Sequence, residues 1–437
     1  MRTDSRGLAI TCDDDAARAA IDDFAHRIVR VTAGAEAVLA AAERFADVPM
    51  LQLDAATLHL FGQSRDDDRE AMRFLTRAEV LAPRMLPREA RLDAALRAWQ
   101  RHDFSVAAAR FEAITAEWPD DLLAAKLAEF LYYVLGQQHE GPRFRAHVER
   151  LLPRHADDPD VLAMLAFARE LCGDTAGAED AATRALTIAP QTPWADHALS
   201  HAWIRRGAVE PAIAHLSAAL PSWAESNRVI WVHNAWHLAL HQLERLDVDA
   251  VQRLYTEVIW RPGETLGGIA LDAIALHWRA ELAGLDSAPD WAAIADRVTP
   301  RAAECFMPFI NAQVAYALAR AGREAPLRAL RDATRAEADR DTPDARRAWA
   351  RVGRALVEAS VALAIGDASR GATLLDPVMD EITVVGGSDA QCDLFRLAYA
   401  RALTDSGRRA EARAFLATLW GTSARTPLEA RWIERLA

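Results

Sequence analysis

Apolar residues recur at three- and four-residue intervals along almost the whole chain, and strict polar/apolar alternation is nearly absent. That pattern predicts amphipathic helices throughout. The breaks between periodic segments are short and carry Gly, Pro or Asp. Residues 157–171 predict a helix closed by Gly173, where a left-handed residue can end the hydrogen-bond ladder. Asp174-Thr175 then supply a cap for the free amides of the next helix. The unit is helix, tight turn, helix.

Comparing these units gives a period near 34 residues: Gly173 recurs as Gly207, Ala185 as Ala219, Leu186 as Leu220, and Pro119 has a counterpart in Pro153. This is the spacing of the tetratricopeptide repeat (TPR). In such hairpins small alanines let the helices approach, glycine closes the turn, and proline stops the second helix. The clearest units are 99–119, 162–190 and 194–221. Gly322, Gly366 and Gly407 are 44 and 41 residues apart, so 222–437 predicts longer, irregular hairpins. The expected fold is all-α, a single continuous TPR-like array over 1–437 that curls as an α-solenoid, with 337–346 as its most polar loop candidate.

Composition narrows the partners. The chain has 437 residues, 51% hydrophobic and 26% charged, and 51 basic against 63 acidic side chains give a net charge of −12. A chain of that sign is poorly suited to coat a polyanion, so nucleic acid is not an expected partner. The pairs Arg205-Arg206, Arg346-Arg347 and Arg408-Arg409 read as solvated helix surface. Cys12, Cys172, Cys305 and Cys392 lack any C-x-x-C spacing and read as buried thiols of a reducing compartment. Residues 1–10 lack the apolar core of a secretory signal, and no stretch reaches the ~18 apolar residues of a membrane helix. A cytoplasmic protein with no membrane partner is expected.

Candidate chemistry concentrates in two His-x-x-x-His pairs, His197/His201 and His233/His237, offset by 36 residues. Each pair presents two imidazoles on one helix face, with Cβ atoms ~6 Å apart. The offset places both pairs on first helices of consecutive hairpins. Axes roughly 8–10 Å apart would bring all four rings toward one Zn, Fe, Ni or Cu ion. The glutamate of the zinc-protease motif is absent, since Ala198 and Asn234 follow the leading histidines. Asp196, His241, Trp194 and Trp236 are near enough in sequence to back the ligands or wall a pocket. The same spacing also arises where histidines pack with no ligand. Gly386-Gly387-Ser388-Asp389 reads as a turn and helix cap, and Asp13-Asp14-Asp15 as a helix start.

These segments also appear together elsewhere. Asp196-His197 through His201, His233-Asn234-Ala235-Trp236-His237, Leu271-Asp272 with Trp278-Arg279, and Gly386 to Gln391 with Asp393-Leu394-Phe395 give the chain its likeness. In order and spacing it resembles the tetratricopeptide repeat protein 38 family, from about residues 8–13 to the carboxyl terminus. The resemblance implies an all-helical, repeat-like fold with an internal polar site, and no settled reaction. Gln52, Leu92, Glu129 and Gln313 stand where that family tends to carry histidine, and Asn311 where aspartate is usual. The likeness therefore carries the fold and not a reaction.

Two functions compete. One is a binding protein whose concave surface holds a peptide, a protein segment or a small polar molecule around the four histidines, with Trp194, Trp236, Arg279 and Gln391 contacting the ligand. The other is a metal-dependent enzyme of hydrolytic or oxygen chemistry. There the four histidines hold the metal, Asp272 or Asp389 acts as base, and Arg279 orients an anion. Self-association through exposed helices is compatible with both.

Overall fold

The computed structural model describes residues 2–261, 267–421 and 423–436. Apart from a two-stranded antiparallel ribbon, Arg2–Thr3 against Ala9–Ile10, its regular elements are helical. Helices adjacent in sequence pack together, as in Pro159–Leu171 on Thr175–Ile188 and Pro193–Arg206 on Val209–Ala219. Alternate helices also stack: 159–171 on 193–206, that helix on Arg228–Glu244, and 228–244 on Gly267–Ala283.

The local signals act where the sequence places them. Asp158 accepts from the amides of Asp160 and Val161, Pro159 fills the first turn, and Gly173 at φ +81° follows the helix end. Asp14 caps Asp15–Arg30, as the acidic run predicts. Helices of 17 residues occur in both halves, Arg65–Leu81 as well as Arg228–Glu244, Gly267–Ala283 and Asp389–Asp405, beside short ones such as Val248–Leu254 and Ala368–Leu375.

The polar stretch 337–346 holds a shorter loop than its composition suggests: Glu324–Ala338 ends inside it, residues 339–342 turn the chain, and a π-helical segment, Ala345–Gly353, begins within it. The exposed ion pair Arg346–Asp341 joins that turn to the following segment. The four thiols are free, but only Cys12 and Cys392 are buried, while Cys172 is exposed just past a helix end.

The chain returns on itself. Gly136 and Gln137 meet the 383–387 segment, where the Gln137 amide donates to the Gly387 carbonyl at 3.0 Å. His102 lies 4.8 Å from Phe306, and the Ser105 amide donates to Asp344 at 3.0 Å. Two large apolar clusters fill the body, one spanning Ile10 to Leu199 and the other Val232 to Leu436. The 193–206 helix contributes Ala195, Ala198 and Leu199 to the first, and the 228–244 helix contributes Val232, Ala235 and Trp236 to the second. The histidine pairs thus sit on the two helices where the clusters meet.

Candidate metal centre

The 193–206 helix begins on Pro193, whose missing N–H is one that a first turn leaves free, and ends on Gly207 at φ +65°. The 228–244 helix begins on Asn227, whose side chain accepts from the Ile230 amide at 3.0 Å. Two bonds fix the register between them: Asn234 Nδ2 donates to the Pro193 carbonyl at 2.9 Å, and Ser200 Oγ meets His241 Nε2 at 3.1 Å. In that register the two histidine pairs face each other.

His197 Nε2 and His201 Nε2 are 3.2 Å apart. The His237 ring centroid is 4.9 Å from that of His197 and 4.6 Å from that of His201. One nitrogen from each of these three buried residues lies within 4.8 Å of the others. His233 stands at the edge, 4.8 Å from His237 and 5.2 Å from His197 by centroids, with its side chain 16% exposed. Trp194 stacks on His197 and Trp236 on His233, and Phe167 packs edge-on against His197 and His201.

Carboxylates set the orientation of two rings. His201 Nδ1 lies 3.0 Å from Asp389 Oδ1, and His233 Nδ1 lies 3.1 and 3.2 Å from the two oxygens of Asp272. A carboxylate only accepts, so each Nδ1 is assigned a proton. His197 Nδ1 has no hydrogen-bond partner, and in His237 neither nitrogen has one. Burial holds His197 and His237 well below the ordinary imidazole range, and the neighbouring histidines push the same way. Burial lowers His201 too, against the opposing pull of Asp389. These three rings, His197, His201 and His237, are neutral near pH 7, which is the form that ligates.

A second group, Glu170, His201 and Asp389, also converges. Burial and the adjacent Asp389 push the Glu170 carboxyl well above its usual range. Burial would raise Asp389 likewise, but Arg205 and His201 outweigh it and hold that group well below. Arg205 pairs with Asp389 and lies 3.4 Å from Glu170. A guanidinium in that position opposes a metal cation, so the three-histidine group is the better seat.

The other expected residues distribute around this centre. Trp194 Nε1 donates to Glu129 at 2.8 Å, and Glu129 also pairs with Lys126 at 2.6 Å. Arg279 donates to the Ala390 carbonyl and lies over the Trp236 ring at 5.6 Å. Gln391 completes a capping box: Ser388 Oγ accepts its amide, and its side-chain oxygen accepts the Ser388 amide at 2.9 Å. Asp196 instead turns away, accepting from Trp223 Nε1 at 2.8 Å and facing His215. Glu129 reaches the centre through Trp194. Gln52 and Asn311 bond locally, to the carbonyls of Ala42 and Glu304.

Glu170 and Arg205 were not anticipated, and Arg205 is no simple solvated surface arginine. Its signal was present: His197, His201 and Arg205 form one four-residue stripe. Glu170 is a lone acid at the end of the apolar run 161–168. No protein-family model matches the chain.

Proposed function

We propose that the protein is a closed TPR-like helical-hairpin solenoid that binds a transition metal through His197, His201 and His237, with His233 and Asp272 at its accessible edge. The observation that carries this reading is His237, a fully buried imidazole with both nitrogens unpartnered among three other imidazoles. An unmet buried polar atom costs ~1–3 kcal/mol, and a coordinate bond removes that cost. The 3.2 Å separation of the His197 and His201 nitrogens supports it, because two ligands of a tetrahedral ion at ~2.0–2.1 Å lie roughly 3.3 Å apart. Nitrogen ligands suit Zn, Fe, Ni or Cu. The buried setting favours an ion or small polar molecule over a peptide, and free thiols fit a cytoplasmic home.

The enzymatic reading keeps one specific support. Three histidines leave a coordination position open, as in catalytic zinc sites, and the His233–Asp272 pair at the edge is a carboxylate-oriented imidazole able to take a proton from a bound water.

Metal analysis of protein purified without a polyhistidine tag tests the proposal. One equivalent is expected in the wild type and none in His201→Ala or His237→Ala. Wild-type protein that stays metal-free after incubation with each of the four ions would sink it. His237→Leu gives an independent arm: it should match or exceed the wild type in thermal stability with chelator present, and lose the stabilisation that metal gives the wild type.

A further inference from the structure

One turn beyond His237, the 193–206, 228–244, 267–283 and 389–405 helices and the helix Pro427–Glu434 line a cavity of about 130 Å³ that touches none of the four ligand candidates. Leu240, Leu243, Leu397 and Leu428 wall it together with Trp203 and Trp432. A wholly apolar cavity of roughly 150 Å³ accommodates benzene, so one ring is the largest apolar body this space could take.

Polar groups interrupt this lining: Arg205, His241, Glu244, Arg279, Asp393, Arg425, Thr426 and Glu429 also face the cavity. Arg279 is 6% exposed; its Nη2 donates to the Ala390 carbonyl, and its Nη1 has no hydrogen-bond partner. No direct ion pair joins it to a carboxylate among the described residues; Asp393 and Glu244 of the same wall act on its charge from further off, and Asp393 is shared with Arg205 and Arg396. The other arginines of the wall are committed, Arg205 to Asp389 and Asp393 and Arg425 to Glu429. Glu244 accepts from the Thr426 hydroxyl at 2.6 Å, and burial pushes its carboxyl up to about 7, which weakens it as a counter-ion. A buried guanidinium with an open donor calls for an anion, and its planar fork matches a carboxylate.

We infer that this cavity binds a small monocarboxylate with an apolar body about the size of one aromatic ring, its carboxylate on Arg279 and its body against Trp203, Trp432 and the leucines. The site is distinct from the metal centre, although the two share helices.

Calorimetric titration of the full-length protein with benzoate, and with benzyl alcohol as its uncharged counterpart, tests the inference with chelator present. Benzoate should bind one to one, at least ~10-fold more tightly than the alcohol, since a charge-assisted bond carries that difference. Arg279→Gln should erase the preference while leaving the alcohol unchanged, and Leu397→Trp, which fills the cavity without touching Arg279, should abolish both. Equal affinities in the wild type, or benzoate binding that survives Leu397→Trp, overturn the inference even where Arg279→Gln fails to fold. Benzoate binding that appears only with metal, or is lost in His201→Ala, places the carboxylate on the ion and overturns it as well.

Discussion

At the scale of single residues, this chain places an unusual share of its histidines where protonation is penalised. His147 has Thr115 Oγ1 at 2.8 Å and Tyr132 Oη at 3.0 Å, and two hydroxyls can meet the one donor and one acceptor of a neutral ring. Burial pushes His147 and His241 down to about 3 and His277 down to about 4. Above an unfolded value of ~6.5 these rings are neutral in both states and pH has no leverage. Below it the unfolded chain takes up protons that the folded chain refuses, so stability is lost as pH falls. The loss ends near pH 4 for His277 and near pH 3 for the other two. Each contributes on the order of 1 kcal/mol per pH unit within its window. Urea midpoints at pH 7.5, 6.5 and 5.5 should therefore fall steeply over the last interval, and His147→Gln should shallow the slope. A midpoint that is flat from 7.5 to 5.5 would contradict the neutral assignment.

At the scale of elements, helical phase made the histidine centre readable. Four-residue spacing within each pair and an offset close to the repeat length put His197, His201 and His237 together and His233 beside them. Phase could not show which side of the 193–206 helix the neighbouring elements leave for Asp196, nor that Asp389 would arrive from the far end of the chain. Those depend on long-range packing, and the same packing converts Arg205 from a surface residue to the counter-ion of a buried acid. Its neighbour Arg206 pairs with Glu179 at the exposed surface, half accessible. Arg205→Met should therefore cost about 2–3 kcal/mol by leaving buried Asp389 with His201 as its remaining partner, whereas Arg206→Met should cost under ~1 kcal/mol. Chemical denaturation of the two variants compares them directly, and equal losses would refute the buried-pair account.

At the scale of the whole molecule, the periodicity of the chain announced helices and short turns, but not that residues 136–137 would meet 383–387. The seam rests on backbone approach. A Cβ on Gly136, at φ +100°, would lie 1.9 Å from the Thr383 carbonyl oxygen, so only glycine fits. Gly173 has a similar left-handed φ, +81°, with open space around its missing side chain. Gly136→Ala should cost about 2–4 kcal/mol, and Gly173→Ala only the ~1–2 kcal/mol of backbone strain. Thermal melts of the pair distinguish a seam that carries stability from one that merely touches, since equal shifts would leave strain as the sole cause.

The burial of His197, His201 and His237 also has a kinetic side. An ion held there as proposed would leave only as fast as the helices part, with the partly open His233 edge as a relief. Its release to a strong chelator would then be slow, with a rate set by breathing of the protein and indifferent to how much chelator is supplied.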